Sequence, residues 1–122
     1  MTPGIPPLGT PVLGTENLRR AVWPSKMDDR GRPTSEAFRA PKHPDLSVDV
    51  ASLAPLADTQ GRFPTSFIVV VRCQVFIDVG HEPFHTPTAA NPSHATVPGP
   101  ITKLHRRRLA ISVHHVYRPI PH

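Results

Sequence analysis

The sequence predicts a small α+β domain, in which a mostly antiparallel sheet of about three strands packs on one C-terminal amphipathic helix and the connections are long and proline-rich. Three observations predict it: a β-branched and aromatic run over 67–79, strict apolar/polar alternation over 46–50, and a helical spread of apolar and basic residues over 101–117.

The front of the chain reads as the least ordered part. Residues 1–20 are rich in proline, which removes backbone donors, and in glycine, which adds chain entropy, and no apolar period runs through them. Residues 1–26 are therefore assigned to a disordered proline-rich segment and 27–122 to a single small domain. Met27, which opens an Asp-Asp-Arg-Gly-Arg-Pro stretch, is an alternative start to Met1.

From residue 34 a hydroxyl residue precedes a short apolar and charged group, and Pro41 and Pro44 limit any helix there to one turn. Leu46, Val48 and Val50 alternate with Ser47 and Asp49, the period of a half-buried strand. A short helical turn over 51–57 follows before a break at 58–61. The run 67–79, bounded by Pro64 and Gly80, is expected to be the central strand, bent near Arg72. Five prolines over 82–100 exclude a full helix and leave only a short edge strand at 94–97. At 100° per residue, Ile101, Leu104, Leu109, Ile111, Val113 and Val116 gather on one side of a helix, with Lys103, Arg106, Arg107 and His114 opposite. Pro100 or Thr102 suits its start and Pro119 its end. The alternation of Leu109, Ile111 and Val113 keeps a strand reading open, with helix preferred.

Length and composition bound the function. The chain of 122 residues is one domain in size, and its 17 prolines and modest apolar content allow a core of limited extent. The net charge of +5 is unevenly placed: the last acid is Glu82, after which come Lys103, Arg106, Arg107, Arg108 and Arg118. Such a segment attracts polyanions, although a solvated face is the commoner role. Cys73 is the single cysteine and lies in an apolar run, which predicts a buried inert thiol and a cytoplasmic protein. No signal sequence or membrane span is visible, so secretion and membrane insertion are not expected.

His81-Glu82-Pro83-Phe84-His85 satisfies the H-E-x-x-H pattern of zinc proteases. That chemistry needs both histidines one turn apart on a continuous helix, and Pro83 between them breaks it. A looser metal site could draw on His81, His85 and His94, with Asp78 as a fourth ligand. Loop histidines bonded to backbone or water are the preferred reading, and no metal or cofactor is predicted. The candidates for acid/base or nucleophilic chemistry are Ser35, Glu36, Arg39, Ser47, Asp49 and His94, none at a known catalytic spacing. Asp49, between Val48 and Val50, faces either solvent or a pocket, and the alternation favours solvent. Lys103, Arg106, Arg107 and Arg108 form the candidate surface for a polyanion or a partner. No companion helix precedes them, so sequence-specific DNA reading is not expected.

Three stretches, residues 32–39, residues 45–49, and residues 91–97 followed by 106–110, resemble a group of small uncharacterised bacterial proteins in order and spacing. The resemblance spans about 28–120. It implies a bacterial cytoplasmic protein with one compact domain, brings no established activity, and draws attention to Phe38, Ser47, Asp49, Asn91, Pro92 and His94.

The functional expectation is a non-enzymatic binding or accessory module of a bacterial cytoplasmic system, whose partner is another protein. One alternative is a small hydrolytic or nucleic-acid-processing enzyme that uses Asp49 and His94, with Ser47 as a further candidate. This alternative requires both side chains to enter one pocket. A third reading is weak polyanion binding through the basic C-terminal helix.

Overall fold

A computed structural model describes residues 4–40 and 42–120. Strands β1 (Asn17–Val22), β2 (Leu46–Val50), β3 (Phe67–Arg72), β4 (Phe84–His85), β5 (His94–Val97) and β6 (His115–Tyr117) form one sheet, and helices α1 (Leu56–Arg62), α2 (Cys73–Asp78) and α3 (Lys103–Ile111) accompany it. The sheet is antiparallel throughout, in the order β4-β5-β2-β1-β3-β6. Among the described residues it has six strands rather than the expected three or so, and the class remains α+β. Among the described residues no helix is long and apolar enough to cross a membrane.

The additional strands come from segments whose pattern is weak or very short. β1 lies within the stretch assigned to the disordered front end, yet it sits at the centre of the sheet, paired with β3 along its whole length. Leu18 and Val22 are buried. Arg20 lies between them on the same face, so the alternation that would identify a strand is broken. Further forward, the amide of Gly9 donates to the His85 carbonyl at 2.7 Å, that of His85 to Thr10 at 2.8 Å and that of Val12 to Pro83 at 3.0 Å. The proline-rich chain thus lines the outer edge of β4, where prolines need not supply ladder donors. Consequently β5, expected at the edge, lies inside the sheet.

The run 67–79 divides at Arg72. Cys73 and Phe76 are buried one turn apart, whereas Gln74 and Asp78 face outward and share a 2.8 Å hydrogen bond. This helical spacing is concealed inside a continuous apolar run. The amides of Cys73 and Gln74, free at a helix start, donate to the carbonyls of Glu16 and Gly14 at 2.8 and 3.0 Å.

The C-terminal helix is shorter than expected. Thr102 caps it by accepting from the His105 amide at 3.3 Å, it ends at Ile111, and the following residues enter β6 beside β3. Leu104 and Ile111, assigned above to the apolar arc, are exposed, whereas Leu109 and Ala110 are buried.

The main core gathers Leu18, Val22, Leu46, Val48, Val50, Val69, Val71 and Val97 from one sheet face beneath Phe38, Phe76, Leu109 and Val113. Alternation sends Arg19, Asp49, Ile68, Val70 and His94 to the opposite face, which α1 reaches through Thr59 and Arg62. With both faces covered, side chains in the polar register are also withdrawn from water.

Candidate functional site

The two central strands separate soon after they meet. β1 and β2 pair only at Leu18 with Val50 and Arg19 with Asp49, while β1 follows β3 to its end and β2 follows β5 to its start. The split opens a cleft of about 410 Å³, within the size range of small-molecule sites. Its walls include Arg19, Arg20, Ser47, Asp49, Asn91 and His94, with Trp23, Lys26, Arg39, Arg62 and Phe63 also lining it.

Arg20 spans the split. Its Nη1 donates to the Ser47 carbonyl at 3.0 Å and its Nε to the Ala37 carbonyl at 3.1 Å. A guanidinium thus satisfies a β2 carbonyl in the region where β1 has left the ladder. Burial brings Arg20 down to about 10 from its ordinary value, and no carboxylate offsets this among the described residues. Arg19 donates to the carbonyls of Ala54 at 2.9 Å and Ala51 at 3.4 Å. It is also lowered by burial, against the opposing pull chiefly of Asp49.

Asp49 is 5% exposed, which corrects the solvent-facing expectation. Asn91 Nδ2 donates to its Oδ1 at 2.8 Å, and Thr59 Oγ1 donates to its Oδ2 at 2.7 Å. Arg62 makes an ion pair with the same Oδ2. Asn91 is itself fixed, because its Oδ1 accepts from the Ser93 hydroxyl at 2.7 Å and the Ser93 amide at 3.2 Å. The segment 91–94 therefore joins β5 to the carboxylate on β2.

His94 lies opposite Asp49 in the β2–β5 register. Its Nδ1 is 3.1 Å from the Thr86 carbonyl and 2.6 Å from Thr86 Oγ1. A carbonyl only accepts, so we assign the proton of the neutral ring to Nδ1, facing the Thr86 carbonyl, which leaves Nε2 as the acceptor. Thr86 Oγ1 is in turn 2.8 Å from Thr96 Oγ1.

Ser47, Asp49 and His94 thus share one cleft. They do not form a catalytic relay: Asp49 is held by Asn91, Thr59 and Arg62, His94 by Thr86, and no hydrogen bond joins the two among the described residues.

The other candidates are dispersed. His81 Nδ1 is 2.8 Å from the Pro98 carbonyl, and its Nε2 is 3.2 Å from His105 Nδ1. His85 is buried and pairs with Ala95, the neighbour of His94, so it points to the opposite sheet face. Burial lowers its imidazole, a shift that Glu16 opposes. No three metal-ligating side chains gather among the described residues. Arg106 turns inward, donating from Nη1 to the Ile101 carbonyl at 2.7 Å with Nη2 3.8 Å from Glu36. Lys103, Arg107 and Arg108 remain on the exposed side of α3.

Sequence reasoning missed Arg19, Arg20, Trp23 and Lys26, all in the front segment, together with Thr59, Arg62 and Phe63. The spacing of Leu18 and Val22 around two arginines was the available sign. The chain matches no protein-family model, no curated protein and no solved structure.

Proposed function

We propose that this chain is a binding module that takes a small organic anion bearing a flat apolar part into the cleft between β1 and β2. The observation that carries this reading is the charge of the cleft. Arg19, Arg20, Lys26, Arg39 and Arg62 line it; among its described lining residues Asp49 alone is a carboxylate and is already committed to Arg62, while Glu36 answers Arg39 at 3.5 Å. Arg20 donates to two carbonyls and has no anionic partner among the described residues, so its charge is available to an entering anion.

Trp23 and Phe63, 61% and 44% exposed, also line the cleft. Their faces suit a flat apolar group, and Lys26 stands 5.7 Å from the centre of the Trp23 ring. The saturated bonding of Asp49 favours binding over acid/base chemistry by that residue.

Calorimetric titration with phenyl phosphate and with uncharged benzyl alcohol tests the reading. Phenyl phosphate is expected to bind, more weakly as salt rises, and Arg20→Leu is expected to weaken it about tenfold or more. Equal binding of the uncharged compound, or none of either, would overturn it.

A further inference from the structure

We propose that the ligand carries a neutral hydrogen-bond donor, a hydroxyl or N–H, which His94 Nε2 accepts while the arginines hold the anionic group. This rests on the anion-binding reading and narrows the ligand to hydroxyl- or N–H-bearing aryl anions. His94 lines the cleft, and its Nδ1 is engaged by the Thr86 carbonyl and hydroxyl, the carbonyl being the ground for assigning the proton to that nitrogen. Among the described residues Nε2 has no partner.

The surrounding groups sharpen the contrast. Arg19, Arg20, Lys26, Arg39 and Arg62 are donors only, and Asp49 has both oxygens engaged by Asn91, Thr59 and Arg62. The bare nitrogen of His94 is therefore an open acceptor, alongside the Ser47 hydroxyl, in a cleft otherwise dominated by donors. Thr86 and Thr96 back the ring through their hydroxyls, which fixes its orientation. A ligand with a phosphate or carboxylate at one end and a hydroxyl or N–H at the other satisfies both kinds of group. One with a methyl ether in place of the hydroxyl leaves Nε2 unpaired.

Calorimetric titrations on the full chain with phenyl phosphate, 3- and 4-hydroxyphenyl phosphate, and the matching methoxyphenyl phosphates test the proposal. At least one hydroxy compound is expected to bind about tenfold more tightly than both its methoxy partner and phenyl phosphate. His94→Gln, whose amide oxygen reaches the position of Nε2, is expected to keep the preference. His94→Asn, whose amide reaches only the position of Nδ1, is expected to lose it while still binding phenyl phosphate. If all the compounds bind the unaltered protein alike, the proposal fails and the anion reading stands. If none binds, both fail. The comparison within the unaltered protein decides the question even where a variant does not fold.

Discussion

Asp49 is a charge taken out of water and answered on both oxygens, by Asn91 on one and by Thr59 and Arg62 on the other. Removing it leaves Arg62 and two polar groups without their partner, so Asp49→Ala is expected to cost about 3 kcal/mol, read as a lowered urea midpoint with unchanged slope. His85 supplies a pH dependence. Its folded-state value lies below the ordinary 6.5, so the unfolded chain takes up the proton first as pH falls. The contribution of neutral His85 to stability is complete above 6.5 and is lost as pH drops below it; His85→Gln is expected to flatten that part of the stability curve. Cys73 is buried, and burial with the nearby charge of Glu16 pushes its thiol up to about 11. Thiol reagents are expected to label it only at the rate of unfolding. Asp49 and His94 were legible as candidates because strand alternation and the 91–97 segment drew attention to them. The burial of Asp49 was not, since it depends on α1 covering a second face that the local pattern of β2 does not reveal.

Among the elements, β2 was readable from its clean two-residue period and β5 from the short gap that the prolines of 82–100 leave, and both occupy the expected residues. β1 was hidden because Arg20 shares a face with Leu18 and Val22, and that arginine is accommodated there by the Ser47 carbonyl, which the divergence of β2 leaves open, and by the Ala37 carbonyl. α2 was hidden for the opposite reason: its helical period lies inside an apolar run that continues β3 without a break. The junction between β5 and α3 turns on Gly99, whose amide donates to Asp45 Oδ1 at 2.9 Å. A β-carbon at this position would collide with the Pro44 carbonyl. Gly99→Ala is therefore expected to destabilise the protein by about 2 kcal/mol in thermal or chemical unfolding.

At the scale of the molecule, β1 is the strand between the β4-β5-β2 and β3-β6 halves of the sheet. The cleft exists because β1 pairs fully with one half and only briefly with the other. A chain beginning at Met27 would lack this strand together with Arg19, Arg20 and Trp23, so it is expected to lose both its cooperative unfolding transition and phenyl phosphate binding. Hydrogen exchange of the intact protein tests the central placement of β1 most directly. The prediction is that the β1 amides paired with β3 exchange as slowly as those of β3 itself. Exchange over 17–22 at the rate of an unstructured chain, with β3 still protected, would contradict it.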